Sequence, residues 1–94
     1  MHEQALMADV ARKLEQTAAD GGADRVIRVV VRLGALSHFT PEHFREHFVD
    51  ATRGTVAEGA EVIATLDADI TAPDAGHVVV QSVELEIPDP IERS

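Results

Sequence analysis

The sequence contains no cysteine, no tryptophan and no tyrosine. Without thiols, disulfides and thiolate metal sites are excluded for this chain. Aromatic residues are limited to Phe39, Phe44 and Phe48, so the core must be built mainly from Val, Leu, Ile and Ala. Positive charge is also scarce. Eight Lys and Arg face 17 Asp and Glu, for a formal net charge of −9. A nucleic-acid backbone or an anionic membrane requires a basic surface, and neither is an expected partner. No apolar run approaches the roughly 18 residues of a membrane span. The N-terminus lacks a basic region followed by an apolar run, so no signal peptide is expected and a cytoplasmic location is the default.

What remains is a 94-residue chain with 45% apolar residues, enough for one modest core. One domain over residues 1–87 and a tail over 88–94 are expected. Residues 3–19 read as an amphipathic helix, with Leu6, Val10, Leu14 and Ala18 at four-residue steps, Met7 and Ala11 widening the stripe, and Gly21-Gly22 as the stop. Residues 25–34 alternate as a strand. Ile27, Val29, Val31 and Leu33 are assigned to one face, and Val26, Arg28, Val30 and Arg32 to the other. After the connector Leu36-Ser37-His38-Phe39, Thr40 and Pro41 open a second helix as N-cap and first helical residue. Phe44, Phe48 and Ala51 form its core stripe, and Arg53-Gly54 ends it.

Residues 55–59 read as a turn, with Gly59 supplying a positive φ. A second strand is expected over 60–70, with Val62, Ala64, Leu66 and Ala68 on its apolar face. A third is expected over 77–87, with Val79, Val83, Leu85 and Ile87 on one face, interrupted by Gln81. The loop at 71–76 is short enough to predict a hairpin of the second and third strands. The order helix-strand-helix-strand-strand predicts an α+β fold: two layers, a three-stranded mixed sheet and two helices on one face. An open edge at Val78-Val79-Val80 leaves weak homodimerisation open.

Met1-His2-Glu3 is the most compact candidate ligand set in the chain. The α-amine of Met1, the peptide nitrogen of His2 and the His2 ring can chelate one ion, and Glu3 can close a fourth position. Planar nitrogen and oxygen donors suit Ni(II) or Cu(II). If residue 3 opens a helix, the positive end of the helix dipole opposes the cation, and Glu3 partly offsets it.

Four stretches carry a family resemblance. They are Met1-His2-Glu3, Arg32-Leu33-Gly34-Ala35-Leu36-Ser37, the segment from Gly54 to Glu61, and Val80-Gln81-Ser82-Val83-Glu84-Leu85-Glu86. In order and spacing they resemble the HypA-type nickel-insertion proteins, which help mature [NiFe]-hydrogenases and, in some bacteria, urease. The resemblance implies a nickel metallochaperone, not an enzyme. It implies that Met1, His2 and Glu3 hold Ni(II), with His2 the essential ligand. It implies a three-stranded sheet carrying two helices. The implied partners are a GTPase accessory protein and the hydrogenase large subunit. The chain departs from the family pattern in one large respect. The family's zinc module, with two CxxC pairs, is inserted between the second and third strands, where this chain has only residues 71–76 and no cysteine. Structural zinc is therefore not expected. In a smaller departure, Thr40 stands about where some members have an acidic residue that assists nickel.

The alternative function is a metal-free adaptor that regulates maturation by docking alone. A third reading comes from His43-Phe44-Arg45-Glu46-His47, which fits the H-x-x-E-H pattern of inverted zinc peptidases. A chain of this size leaves little room for a third ligand and a cleft, so a weak adventitious metal site is the better reading of those two histidines. His38 is an auxiliary ligand candidate only if its loop approaches the N-terminus; His77 is expected to be exposed.

Overall fold

The computed structural model describes residues 2–88, and for His2 and Glu3 the backbone alone. The elements in chain order are α1 (His2–Asp20), β1 (Arg25–Leu33), α2 (Pro41–Ala51), β2 (Glu61–Leu66) and β3 (Val78–Glu86). The sheet order is β2-β1-β3. β1 runs parallel to β2, with Arg28 opposite Glu61 and Leu33 opposite Leu66. It runs antiparallel to β3, with Arg25 opposite Glu86 and Leu33 opposite Val78. The expected α+β architecture is present, a mixed three-stranded sheet with both helices packed on one face.

The core lies between that face and the helices. Met7, Val10, Leu14 and Ala18 of α1 and Phe44 and Phe48 of α2 close over Val26, Val29, Val31 and Leu33 of β1. Phe39, read from the sequence as part of a connector, is also buried and meets Phe44 edge-on, with ring centroids 5.6 Å apart. Each fully buried side chain of this kind contributes roughly 1.5–3 kcal/mol of transfer free energy.

Three expectations fail. The second and third strands do not form a hairpin. β1 carries more apolar residues than either other strand and takes the centre, where both of its edges are paired. The connection through α2 is a crossover, which delivers β2 parallel to β1. β3 is left with the opposite edge. The face assignments also slip, because two β-bulges change the parity of the alternation. In β1, Val26 pairs with Leu85 and Arg28 with Glu84, so Ile27 is the extra residue. Val26 is therefore buried, while Ile27 is 37% exposed. In β3, Ser82 pairs with Val30 and Val80 with Val31, leaving Gln81 as the extra residue. The core face of β3 is accordingly Val78, Val80, Val83 and Leu85. Val79 falls on the other face, and Ile87 lies beyond the strand, 59% exposed. Finally, β2 stops at Leu66, itself 54% exposed, and Ala68 lies outside the strand.

With β2 and β3 on opposite edges, residues 67–77 must pass across the C-terminal end of β1. Backbone hydrogen bonds fasten them there: Asp67 N donates to Leu33 O (2.8 Å), Gly34 N to His77 O (2.9 Å) and Leu36 N to Ala75 O (2.7 Å). The approach is so close that a Cβ on Gly34 would lie 2.2 Å from the Ala75 carbonyl oxygen. Only glycine fits. Arg32 ties both ends of the crossing segment. It donates to Asp74 through both guanidinium nitrogens (3.2 and 2.6 Å) and to Asp67 at 3.1 Å. On the same open face, Arg28 bridges the two edge strands through Glu61 (2.9 Å) and Glu84 (2.8 Å). The Arg32 hydrogen bond holds the Asp74 carboxyl below the usual carboxylate range, and Asp74 in turn raises the Arg32 guanidinium.

Gly34→Ala is expected to destabilise the fold by about 1–3 kcal/mol in urea unfolding, the range for overpacking against backbone. Gly76→Ala is the control: an added Cβ there meets nothing within 4 Å, so its stability should be unchanged or slightly higher. Because the Asp74 carboxyl is depressed in the folded state, its contribution is present above its unfolded value near 3.9 and is lost as pH falls through the lower folded value. Asp74→Asn should therefore lower the thermal midpoint at pH 7. The gap to the parent chain should close when both are melted at pH values below the carboxylate range.

Candidate metal centre

α1 begins at His2, so the backbone amides of the first turn lack intrahelical acceptors. Of the three candidate ligands, Met1 and the side chains of His2 and Glu3 lie outside the described residues. The first described side chains of α1 show where its start lies. Gln4, Met7 and Ala8 line a groove together with His47, Asp50 and Ala51 of α2. The chain start is thereby set against the middle and end of the second helix.

α2 is built as its sequence predicts. Thr40 is extended and caps the helix, its Oγ1 accepting from His43 N at 3.1 Å, with Pro41 in the first turn. Thr40 stands where the resemblance places an acidic nickel auxiliary, and its hydroxyl oxygen is committed to this cap. His43 and His47 sit one turn apart and half-buried. Their Nε2 atoms are 2.7 Å from each other, and their ring centroids are 4.4 Å apart. Phe39 flanks both rings, with centroids at 5.6 and 6.4 Å. The sequence placed this pair beside the Phe44/Phe48 stripe, four apart and able to share a weak metal site, but gave no sign that His47 shares a groove with α1.

The peptidase reading finds no support. Glu46 is exposed, and among the described residues no group of three or more His, Asp or Glu is arranged to hold a metal ion. His38 is exposed and holds a positive φ of 68°. His77 is exposed, as expected. No helix among the described residues is long and apolar enough to cross a membrane.

Comparison with known proteins decides the family. A family model described as hydrogenase/urease nickel incorporation, metallochaperone, HypA matches residues 1–82. The chain belongs to the HypA family. This is a family of metallochaperones acting in nickel incorporation, not of enzymes. The chain is 36% identical over 80 residues to the hydrogenase maturation factor HypA of Acidithiobacillus ferrooxidans, covering 84% of this chain and 71% of that protein. It is 43% identical over 70 residues to the HypA of Methylocella silvestris, covering 74% of this chain and 58% of that one. It thus matches between about three-fifths and seven-tenths of the length of these relatives. The solution structure of the Ni metallochaperone HypA from Helicobacter pylori shares the fold, with a TM-score of 0.75 at 16% identity over 92% of this chain and 98% of that chain.

Thr40→Ala removes the cap and should cost about 1 kcal/mol in urea unfolding. Thr40→Asp, which can accept from the same amide, should keep the parent stability. A loss of equal size in both variants would mean that the cap bond contributes nothing.

Proposed function

We propose that this HypA-family chain is a nickel metallochaperone for maturation of [NiFe]-hydrogenase, or of urease, and that it holds Ni(II) through Met1, His2 and Glu3. The observation that carries the reading is the family match from residue 1, together with a helix that begins at His2. An α-amine, an imidazole and a carboxylate meet within three residues at that start. The first-turn amides have no helical acceptor to lose, so deprotonating one for a metal bond breaks no hydrogen bond of the helix. An amide so recruited becomes anionic and counters the positive end of the helix dipole.

The amine and the imidazole must shed protons to bind. Affinity is expected to fall as pH drops through the ordinary histidine range near 6.5. Copper(II) should bind at least as tightly as nickel, following the general affinity order of divalent metals. Selectivity would then come from metal supply or from partners. The partners proposed are an accessory GTPase of nickel insertion and the hydrogenase large subunit, in the cytoplasm. With no cysteine in the chain, this domain would carry nickel without a structural thiolate zinc site.

Calorimetric titration of the tag-free chain with Ni(II) should show stoichiometric binding. His2→Ala should remove one equivalent of binding, and so should a residue added before Met1, because the amine is then displaced. A tag-free chain that does not bind nickel would overturn the carrier role and leave the adaptor function. A stoichiometry unchanged by His2→Ala would overturn the chain-start site.

A further inference from the structure

We infer that His43 and His47 form a second divalent-metal site, in which the two Nε2 atoms occupy adjacent positions of a square-planar or octahedral coordination sphere. The separation of the donors is the main argument. Metal–imidazole bonds of about 2.0–2.1 Å place two nitrogens at 90° roughly 2.8–3.0 Å apart, and at the tetrahedral angle roughly 3.3–3.4 Å apart. The observed Nε2–Nε2 distance is 2.7 Å. A shift of a few tenths of an ångström converts the pair into cis ligands, whereas a tetrahedral zinc-type site needs a larger opening. Square-planar and octahedral preferences belong to Ni(II) and Cu(II) rather than zinc.

The second argument is preorganisation. Both rings project from one helix, a turn apart, each next to a buried anchor, Phe44 or Phe48. Phe39 packs against both rings and limits their rotation. The contact between them requires one Nε2 to carry a proton and the other a lone pair. When a metal enters, the proton leaves the donor Nε2 and the same ring takes one at Nδ1, with water as carrier. Each ring then offers an Nε2 lone pair to the metal. The groove that includes His47 is lined by Gln4, Met7, Ala8, Asp50 and Ala51, with no cation among them. A charge of −9 over the whole chain adds a field that favours a cation.

The test uses the full chain carrying one extra residue before Met1, so that the chain-start chelate is disabled. Titrated with Ni(II) alone, it should retain one equivalent of binding. Nickel should shift or broaden the ring-proton NMR signals of His43 and His47, and leave those of His38 and His77 in place. His47→Asn should weaken the retained binding by at least about tenfold, and His43→Asn likewise, with far-UV circular dichroism unchanged. The inference is overturned if the extended chain binds no nickel, if binding is the same in both Asn variants, or if His38 and His77 shift or broaden equally. The free-amine chain carrying both Asn substitutions separates this result from the chain-start reading, because it should still bind one equivalent there.

Discussion

The burial of one face of β1 beneath two helices is the constraint from which the rest of the architecture follows. Val26, Val29, Val31 and Leu33 are almost wholly removed from water by Leu14, Phe44 and Phe48. With so few aromatics, two of the three phenylalanines are spent on this contact from α2 and the third, Phe39, closes its end. α1 and α2 must then share that face, and their mutual packing sets Gln4 and Met7 beside His47. The position of Gln4 and Met7 beside His47 thus follows from core packing.

Centring β1 has a second consequence. Once β2 and β3 occupy opposite edges, the chain between them must cross the end of β1. Gly34 permits the close approach and Arg32 fastens both ends through Asp67 and Asp74. This crossing is also the place where the family resemblance implies an inserted zinc module. Here eleven positions, 67–77, suffice to close the sheet, and hydrogen bonds to Leu33, Gly34 and Leu36 take the role of anchoring them.

What was legible in the sequence is what local chemistry determines. The bounds of α1 and α2, the Thr40 cap, the Pro41 start and the positive φ of Gly59 all depend on neighbours a few residues away, and all are present. The sheet order was not legible, because it depends on which strand can be paired on both edges. Nor were the bulges at Ile27 and Gln81, since one extra residue inverts an alternation that otherwise looks regular. Phe39 read as loop because its burial comes from α2 and not from its own segment. The chain-start ligand set is a proposal from chemistry, since Met1 and the side chains of His2 and Glu3 lie outside the described residues. The pairing of His43 and His47 was legible from their spacing, whereas the packing of Phe39 against both rings was not.

The most direct test of the account is nickel X-ray absorption of the protein loaded with one equivalent of Ni(II), before and after selective acetylation of the α-amine. The account predicts nitrogen and oxygen scatterers with an imidazole signature in the free-amine protein. It predicts that this spectrum is lost or rearranged once the amine is acetylated. An identical spectrum from the acetylated protein would contradict it, because the metal would then be held without the chain start.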